Sequence, residues 1–196
     1  MIQPSPNQEP SRRPHATGVL LVIAHPAMER SRANRAMAAA AQGTPGVTPL
    51  DLYETYPDFA IDVRAEQKRL VSHHTVVVQF PFYWYSTPAL LKEWFDLVWL
   101  HGFAYGHGGT ALQGKRMAVA CSTGGSADSY GRKGAHRFTV AEFLRPLEQT
   151  AALCGMSWED PFVVHAAAAQ DDKALAREAR AFRERLTAWA NGAPSP

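Results

Sequence analysis

The chain lacks most of what holds a secreted or metal-built protein together. Cysteine occurs twice in 196 residues, as Cys121 and Cys154, each in apolar surroundings. Neither belongs to a Cys-x-x-Cys pair or a Cys/His cluster, so no disulfide framework and no metal site are expected. Long apolar runs are missing too: nowhere do about 18 uncharged apolar residues follow one another, and no membrane span is expected. Charge of one sign is scarce. Lys and Arg number 20 against 18 Asp and Glu, a formal net charge of +2, and the basic residues are scattered. That removes the electrostatic case for a nucleic-acid partner. No segment repeats.

What is present is apolar residue in short runs. At 46% hydrophobic composition the chain can build one well-cored domain, with little room for a second. Residues 1–17 carry Pro4, Pro6, Pro10 and Pro14 among Gln, Asn, Ser and Arg. They lack the apolar centre of a secretory signal and read as a flexible tail, with 192–196 as its counterpart and 18–191 as the domain. The expectation is a cytoplasmic protein with both thiols reduced.

Strands alternate with helices along the domain. Gly18–Ala24 is a continuous β-branched run, the mark of a strand buried on both faces. Ser31–Gln42 is an Ala-rich helix with Ser31 at its N-cap and Gly43 past its end. Val47–Tyr53 is a second strand, 64–72 a short helix, and Thr75–Phe80 a third strand stopped by Pro81. Pro88–Leu100 is a helix apolar nearly all round, which asks for cover on both sides, by the sheet and by a second subunit. Lys115–Cys121 is the fourth strand, 139–153 a helix, Phe162–Ala166 the fifth strand and 171–190 the last helix. Five such units predict an α/β fold, a parallel sheet in the order 2-1-3-4-5 with helices on both faces. Ligands then bind off the carboxyl ends of the strands, at the switch point between strands 1 and 3.

The loops after strands 1, 3 and 4 carry the unusual chemistry. After strand 1, His25 is followed by Ser31, Arg32, Ala33 and Asn34 at a helix N-terminus, where amides and dipole favour a phosphate; a plain helix cap fits equally. This is neither a Gly-x-Gly-x-x-Gly turn nor a P-loop. After strand 3, Phe82, Tyr83, Trp84 and Tyr85 stand between Pro81 and Pro88. They suit core packing or a flat partner such as an isoalloxazine ring, and the prolines argue for an irregular loop. After strand 4, Ser122, Thr123, Gly124 and Gly125 can bring backbone N–H groups close to a ligand. Tyr130 and His136 are the ionisable pair of that loop, suited to donating a hydrogen bond and moving a proton.

Several stretches resemble the NAD(P)H:quinone oxidoreductase family of flavodoxin-like flavoproteins, the DT-diaphorase-like family. They are Ala24-His-Pro, Ser31 with Asn34, Phe80-Pro with Trp84-Tyr, Pro88-Ala-Leu-Leu-Lys-Glu-Trp-Phe-Asp96, the segment 102–114, Thr123-Gly-Gly and Gly134-Ala-His136. The likeness runs from about Val19 to Trp189. The 53–62 stretch and the Gly-rich segment are most similar to the branch of ancillary flavoproteins of bacterial glutathione-gated potassium efflux systems. The resemblance implies FMN, with FAD as the alternative. It places His25, Ser31, Arg32, Ala33 and Asn34 at the phosphates, residues 82–85 along the ring, and 122–125 at the other edge. It implies Tyr130 and His136 as the proton-handling pair. It also implies a homodimer, with Phe103, Tyr105 and His107 of the second subunit forming the substrate pocket. The reaction implied is a two-electron ping-pong transfer of hydride from NAD(P)H to a quinone-type acceptor. Two other readings remain: a regulatory subunit of a membrane potassium efflux protein, peripheral to the inner face of the membrane, and a flavodoxin-type electron carrier. The near-neutral charge and the Tyr130/His136 pair argue against the carrier.

Overall fold

The computed structural model describes residues 17–192. The tails expected at the two ends lie outside the described residues except for Thr17 and Gly192.

Strand β1 (Val19–Ile23) is wholly buried and lies between β2 (Val47–Asp51) and β3 (Thr75–Pro81), parallel to both. β4 (Arg116–Ser122) pairs with β3 along its whole length. The order is β2-β1-β3-β4-β5, as expected for this fold class. The fifth position differs from expectation. It is held by two short strands, β5 (Ser157–Trp158) and β6 (Phe162–Val164), which pair with opposite ends of β4. Pro161 lies in the gap between them and can donate no ladder hydrogen bond.

Alternation in β1 divides the core. Leu20 and Val22 face a layer that includes Val76, Val78, Leu90, Leu91 and Trp94. Val19, Leu21 and Ile23 face Met37, Phe182, Leu186 and Trp189 on the other side. Both faces are covered, which is why the strand reads as an unbroken apolar run. The first layer is closed by α2 (Leu52–Thr55), α3 (Val63–Ser72), α4 (Ala89–Val98), α5 (Val140–Phe143) and α6 (Arg145–Leu153). The second is closed by α1 (Arg32–Ala41) and α7 (Asp172–Ala190). Fully burying a side chain such as Phe182 contributes about 2–3 kcal/mol.

Several boundaries depart from the sequence reading. β2 stops at Asp51 rather than Tyr53, because the Asp51 carboxylate accepts from the Tyr53 and Glu54 amides and starts α2. β3 runs one residue further than expected, through Pro81, which stays in register with Ser122: the Phe82 amide donates to the Ser122 carbonyl, and the Pro81 carbonyl accepts from the Tyr83 amide. The helix expected over 139–153 is two, since Pro146 sits in the first turn of α6 and fixes a new start there. Thr139 and Glu142 form a capping box for α5.

The fourth helix corrects a larger expectation. α4 buries Leu90, Leu91, Trp94, Phe95 and Val98 along one stripe. Its other face presents Lys92, Glu93 and Asp96 with Leu97, and Lys92 pairs with Asp96. The helix is therefore amphipathic, and its composition alone no longer demands a second subunit. Glu66 of α3, wholly buried, ties this layer together. It accepts from Tyr56 Oη at 2.7 Å and Trp94 Nε1 at 2.9 Å, and pairs with Arg69. Burial and this carboxylate push the Tyr56 phenol up to about 12.

Candidate functional site

At the carboxyl end of β1 the chain turns through His25 and a single 3-10 turn, Met28–Arg30, which delivers Ser31 to the N-cap of α1. Ser31 Oγ accepts from the Asn34 amide at 3.2 Å. The buried Asn34 then donates from Nδ2 to Ser31 Oγ at 3.2 Å and to Ser122 Oγ at 2.8 Å. Gln79 of β3 donates to the Asn34 carbonyl at 2.9 Å. The start of α1 is thus stitched to β3 and β4. The amides of Arg32 and Ala33, in its first turn, have no carbonyl below them within the helix, so they can receive an anion. The Arg32 guanidinium itself bonds Asp172 and the Gln170 carbonyl, each at 2.7 Å. Its charge is held at the rim by α7.

His25 Nδ1 accepts from the Ala27 amide at 3.0 Å. The neutral ring therefore carries its proton on Nε2. Burial lowers its pKa from 6.5, and Glu29 works against that. Together with Ser31, Arg32 and Ala33, His25 lines a cavity of about 440 Å³. Phe82, Tyr83, Ser122, Thr123 and Gly124 complete most of the wall.

The aromatic loop divides. A bridge joins Tyr83 to Ser86, and the Ser86 amide donates to the Tyr83 carbonyl at 2.9 Å. Between them Trp84 and Tyr85 take φ of 48° and 64°, the sign pattern of a type I′ turn. Each left-handed non-glycine residue costs about 1–2 kcal/mol. Phe82 and Tyr83 lie on the cavity, and Tyr83 meets His25 edge-on at 6.1 Å. Tyr85 turns the other way. It stacks on Phe143 at 4.8 Å and sets its hydroxyl 3.3 Å from His136 Nδ1. Trp84 is 92% exposed and stands clear of the cavity wall. Four aromatics in a row were expected along one ligand, and the turn puts two of them there.

The loop after β4 is held by the segment after β6. The Thr123 amide donates to the Val164 carbonyl, Ala167 donates to Thr123, and Ala166 donates to Gly125, all at 2.9 Å. Gly125 is a glycine for want of space: a Cβ there would come within 2.7 Å of His136 Nε2 and 3.1 Å of the Tyr130 ring. Tyr130 and His136 are stacked at 4.3 Å with 21° between planes. Burial raises the Tyr130 pKa above 10.0, and the Thr123 hydroxyl is the first influence acting the other way. The expected pair is thus together, set behind Gly125 rather than on the wall of the cavity.

Phe103, Tyr105 and His107 stand apart from this cavity. Phe103 and Tyr105 are partly buried against the first core layer, and His107 is exposed. Tyr105 lines a separate cavity of about 390 Å³ with Trp99 and Cys154. The sequence reading missed the residues after β6. Ala167 and Ala168 line the main cavity, and His165 places Nδ1 3.1 Å from Thr123 Oγ1. The signal was available in the rule that sites gather at strand carboxyl ends, applied to three strands and not to the last. Among the described residues no group of His, Cys, Asp and Glu is placed to hold a metal ion. Nor is any described helix long and apolar enough to cross a membrane.

Sheet order and cavity together define a doubly wound α/β protein with a nucleotide-sized site at its switch point. A family model for the flavodoxin-like fold matches residues 17–186. A solved structure from Streptomycin violaceusniger, described as the tryptophan halogenase Th-Hal, is 44% identical with a TM-score of 0.84, covering 85% of this chain and 97% of that one. General stress protein 14 of Treponema denticola, in complex with FMN, is 40% identical with a TM-score of 0.83, covering 87% and 98%. An NADPH-quinone reductase from P. pentosaceus is 32% identical with a TM-score of 0.80, again covering 87% and 98%. The chain belongs to the NAD(P)H:quinone oxidoreductase family of the flavodoxin-like fold.

Proposed function

We propose that this protein is an FMN-dependent NAD(P)H:quinone oxidoreductase acting as a homodimer. The observation that carries the reading is the arrangement of a single site. A helix N-terminus suited to phosphate forms one end, and the stacked Tyr130–His136 pair stands behind Gly125 at the other. The names of similar proteins differ between halogenase and reductase, so fold alone does not choose the reaction. The FMN of the Treponema protein and the activity of the P. pentosaceus protein support the choice made here.

The residues present fit the cofactor. The Arg32 and Ala33 amides with Ser31 would receive its phosphate, and His25 would offer its Nε2–H. Gly124, where a Cβ would meet nothing within 4 Å, leaves the approach to the backbone open. A cavity of about 440 Å³ suits a mononucleotide better than FAD. Bound FMN would supply the hydride chemistry between NAD(P)H and the acceptor. Tyr130 then donates a hydrogen bond to oxygen gaining negative charge, and His136 takes or gives the proton. The Tyr85 hydroxyl holds His136 Nδ1 and so orients its Nε2. Nicotinamide donor and quinone acceptor occupy the site in turn. Phe103, Tyr105 and His107, set away from their own cavity, would complete the partner's; exposed Leu97 and Leu100 beside them supply apolar surface.

The test begins with the visible spectrum of the purified protein and the mass of the extracted cofactor. Anaerobic mixing with NADPH should bleach the bound flavin within seconds, and a benzoquinone should restore its colour. A yellow protein that NADPH and NADH both fail to bleach would be an electron carrier, and the reductase reading would fall. Sedimentation should give the mass of two chains.

A further inference from the structure

The resemblance places Asn34 at the phosphate, yet Asn34 is 1% exposed and takes no part in the cavity wall. It reaches that wall only through two serines that do line it, Ser31 and Ser122. Its backbone amide donates to Ser31 Oγ at 3.2 Å. Its Nδ2 donates to the same oxygen at 3.2 Å and to Ser122 Oγ at 2.8 Å. The residue is itself held from β3, where Gln79 Nε2 donates to its carbonyl at 2.9 Å.

A serine hydroxyl has one proton and two acceptor lone pairs. Both lone pairs of Ser31 are taken by Asn34 nitrogens, so Ser31 can meet anything further only as a donor. One lone pair of Ser122 is taken by the same Nδ2, and its proton is also left over. Among the described residues neither hydroxyl donates to an acceptor. The two amide oxygens of this network, Asn34 Oδ1 and Gln79 Oε1, are buried without a hydrogen-bond partner, so the serines do not turn their protons inward to them. Two unused hydroxyl protons therefore belong to one stretch of the cavity wall, next to the Arg32 and Ala33 amides that can also only donate. A phosphate monoester is the complementary partner, because near neutrality its free oxygens mostly accept.

We propose that Asn34 is a positioning residue for cofactor selection: it makes Ser31 and Ser122 donors, and so favours a flavin that ends in phosphate over one that ends in a hydroxyl. The proposal rests on the placement of the FMN phosphate at the start of α1. A terminal hydroxyl could accept from these serines as well, but hydrogen bonds to a charged acceptor are roughly twice as strong. The opposite amide orientation, with Oδ1 toward the serines, would take both protons and leave lone pairs facing the anion.

The test compares FMN with riboflavin, each titrated into the full chain stripped of flavin and followed by quenching of flavin fluorescence. Asn34→Leu removes the side-chain donors without adding charge. It should weaken FMN about tenfold and leave riboflavin within about twofold. Asn34→Asp offers the serines two acceptors in their place, and should weaken FMN about 10²-fold. With Ser31→Ala and Ser122→Ala both present, adding Asn34→Leu should change FMN affinity no further. In the wild-type chain without flavin, NMR should show the two Asn34 Nδ2 protons responding separately, one to Ser31→Ala and the other to Ser122→Ala. That measurement decides the matter even where Asn34→Leu fails to fold. Equal weakening of both flavins by Asn34→Leu would leave Asn34 a purely structural role and overturn the proposal. So would a loss confined to Asn34→Asp, which charge alone explains, or Nδ2 protons that ignore both serine variants. A wild type that binds FMN but cannot oxidise NAD(P)H would sink the reductase reading alone, because none of these readouts needs turnover.

Discussion

At its β1 end the cavity is walled by residues in ordinary conformations, tied into the sheet by a chain of hydrogen bonds. Ser31 caps α1, Asn34 reaches Ser122, and Gln79 reaches Asn34. At its β3–β4 end the loops behind the wall bear strain and exposure. Trp84 and Tyr85 occupy left-handed backbone, Trp84 stands in solvent, and Gly125 sits where no side chain fits. The first end resembles a piece of the core turned toward a ligand. The second consists of loops held in costly shapes, which is where backbone strain usually accompanies chemistry. On the proposed reading, the difference assigns holding to one end and reaction to the other.

The sharpest way to break that division is the Tyr130→Phe, His136→Gln double variant. Turnover should fall by about 10²- to 10³-fold, while the FMN content of the purified protein stays at the wild-type level. Turnover unaffected by the pair would return the reaction to some other part of the site. The converse follows at the β1 end. Ser31→Ala removes the cap and an oxygen from the proposed phosphate cradle, and should weaken flavin retention about tenfold. The fraction that remains loaded should turn over at the wild-type rate, as judged by kcat per bound flavin. If kcat per flavin falls as well, the two ends are not separable.

The same contrast governs what could be read from residues alone. β1, β3 and β4 were legible because strands buried on both faces leave continuous apolar runs. α1 was legible from its cap at Ser31, and α7 from the stripe of Leu175, Phe182, Leu186 and Trp189. The regular β1 end of the site followed with them. The loop end did not. A type I′ turn usually announces itself with Asn or Gly, and Trp84-Tyr85 carries no such signal. Ala167 and Ala168 have no chemistry to mark them. The split of the fifth strand was hidden because strands of two and three residues are too short to show a period. α4 was misjudged by counting its apolar residues rather than placing them, since Lys92, Glu93 and Asp96 share one exposed face. Pro146 was readable as the start of a new helix.

Strain at the loop end should be measurable without any ligand. Trp84→Gly replaces a left-handed indole-bearing residue with one that adopts φ of 48° at no steric cost. Because Trp84 is 92% exposed, little packing is lost. Unfolding in urea should show a gain of about 1 kcal/mol, reduced somewhat by the greater freedom of glycine in the unfolded chain. A loss of stability would mean that the indole packs on something, a second chain first of all, and concentration-dependent melting would identify it.

The smallest effect separates the ends by pH. Burial lowers the pKa of His25 at the β1 end and of His165 at the loop end. In both cases the unfolded chain takes up its proton first, near 6.5, and the folded protein only at lower pH. Each histidine therefore contributes stability that is complete above about pH 6.5 and is lost as pH falls through its folded value. Melting temperature should be flat from pH 8 to 7 and should decline toward pH 5. His25→Asn keeps an acceptor for the Ala27 amide while removing the titration, and His165→Asn keeps a partner for Thr123. Each should flatten the decline. His25, 6% exposed against a half-buried His165, should flatten it more. The reverse order would place the tighter burial, and with it the more rigid wall, at the loop end instead.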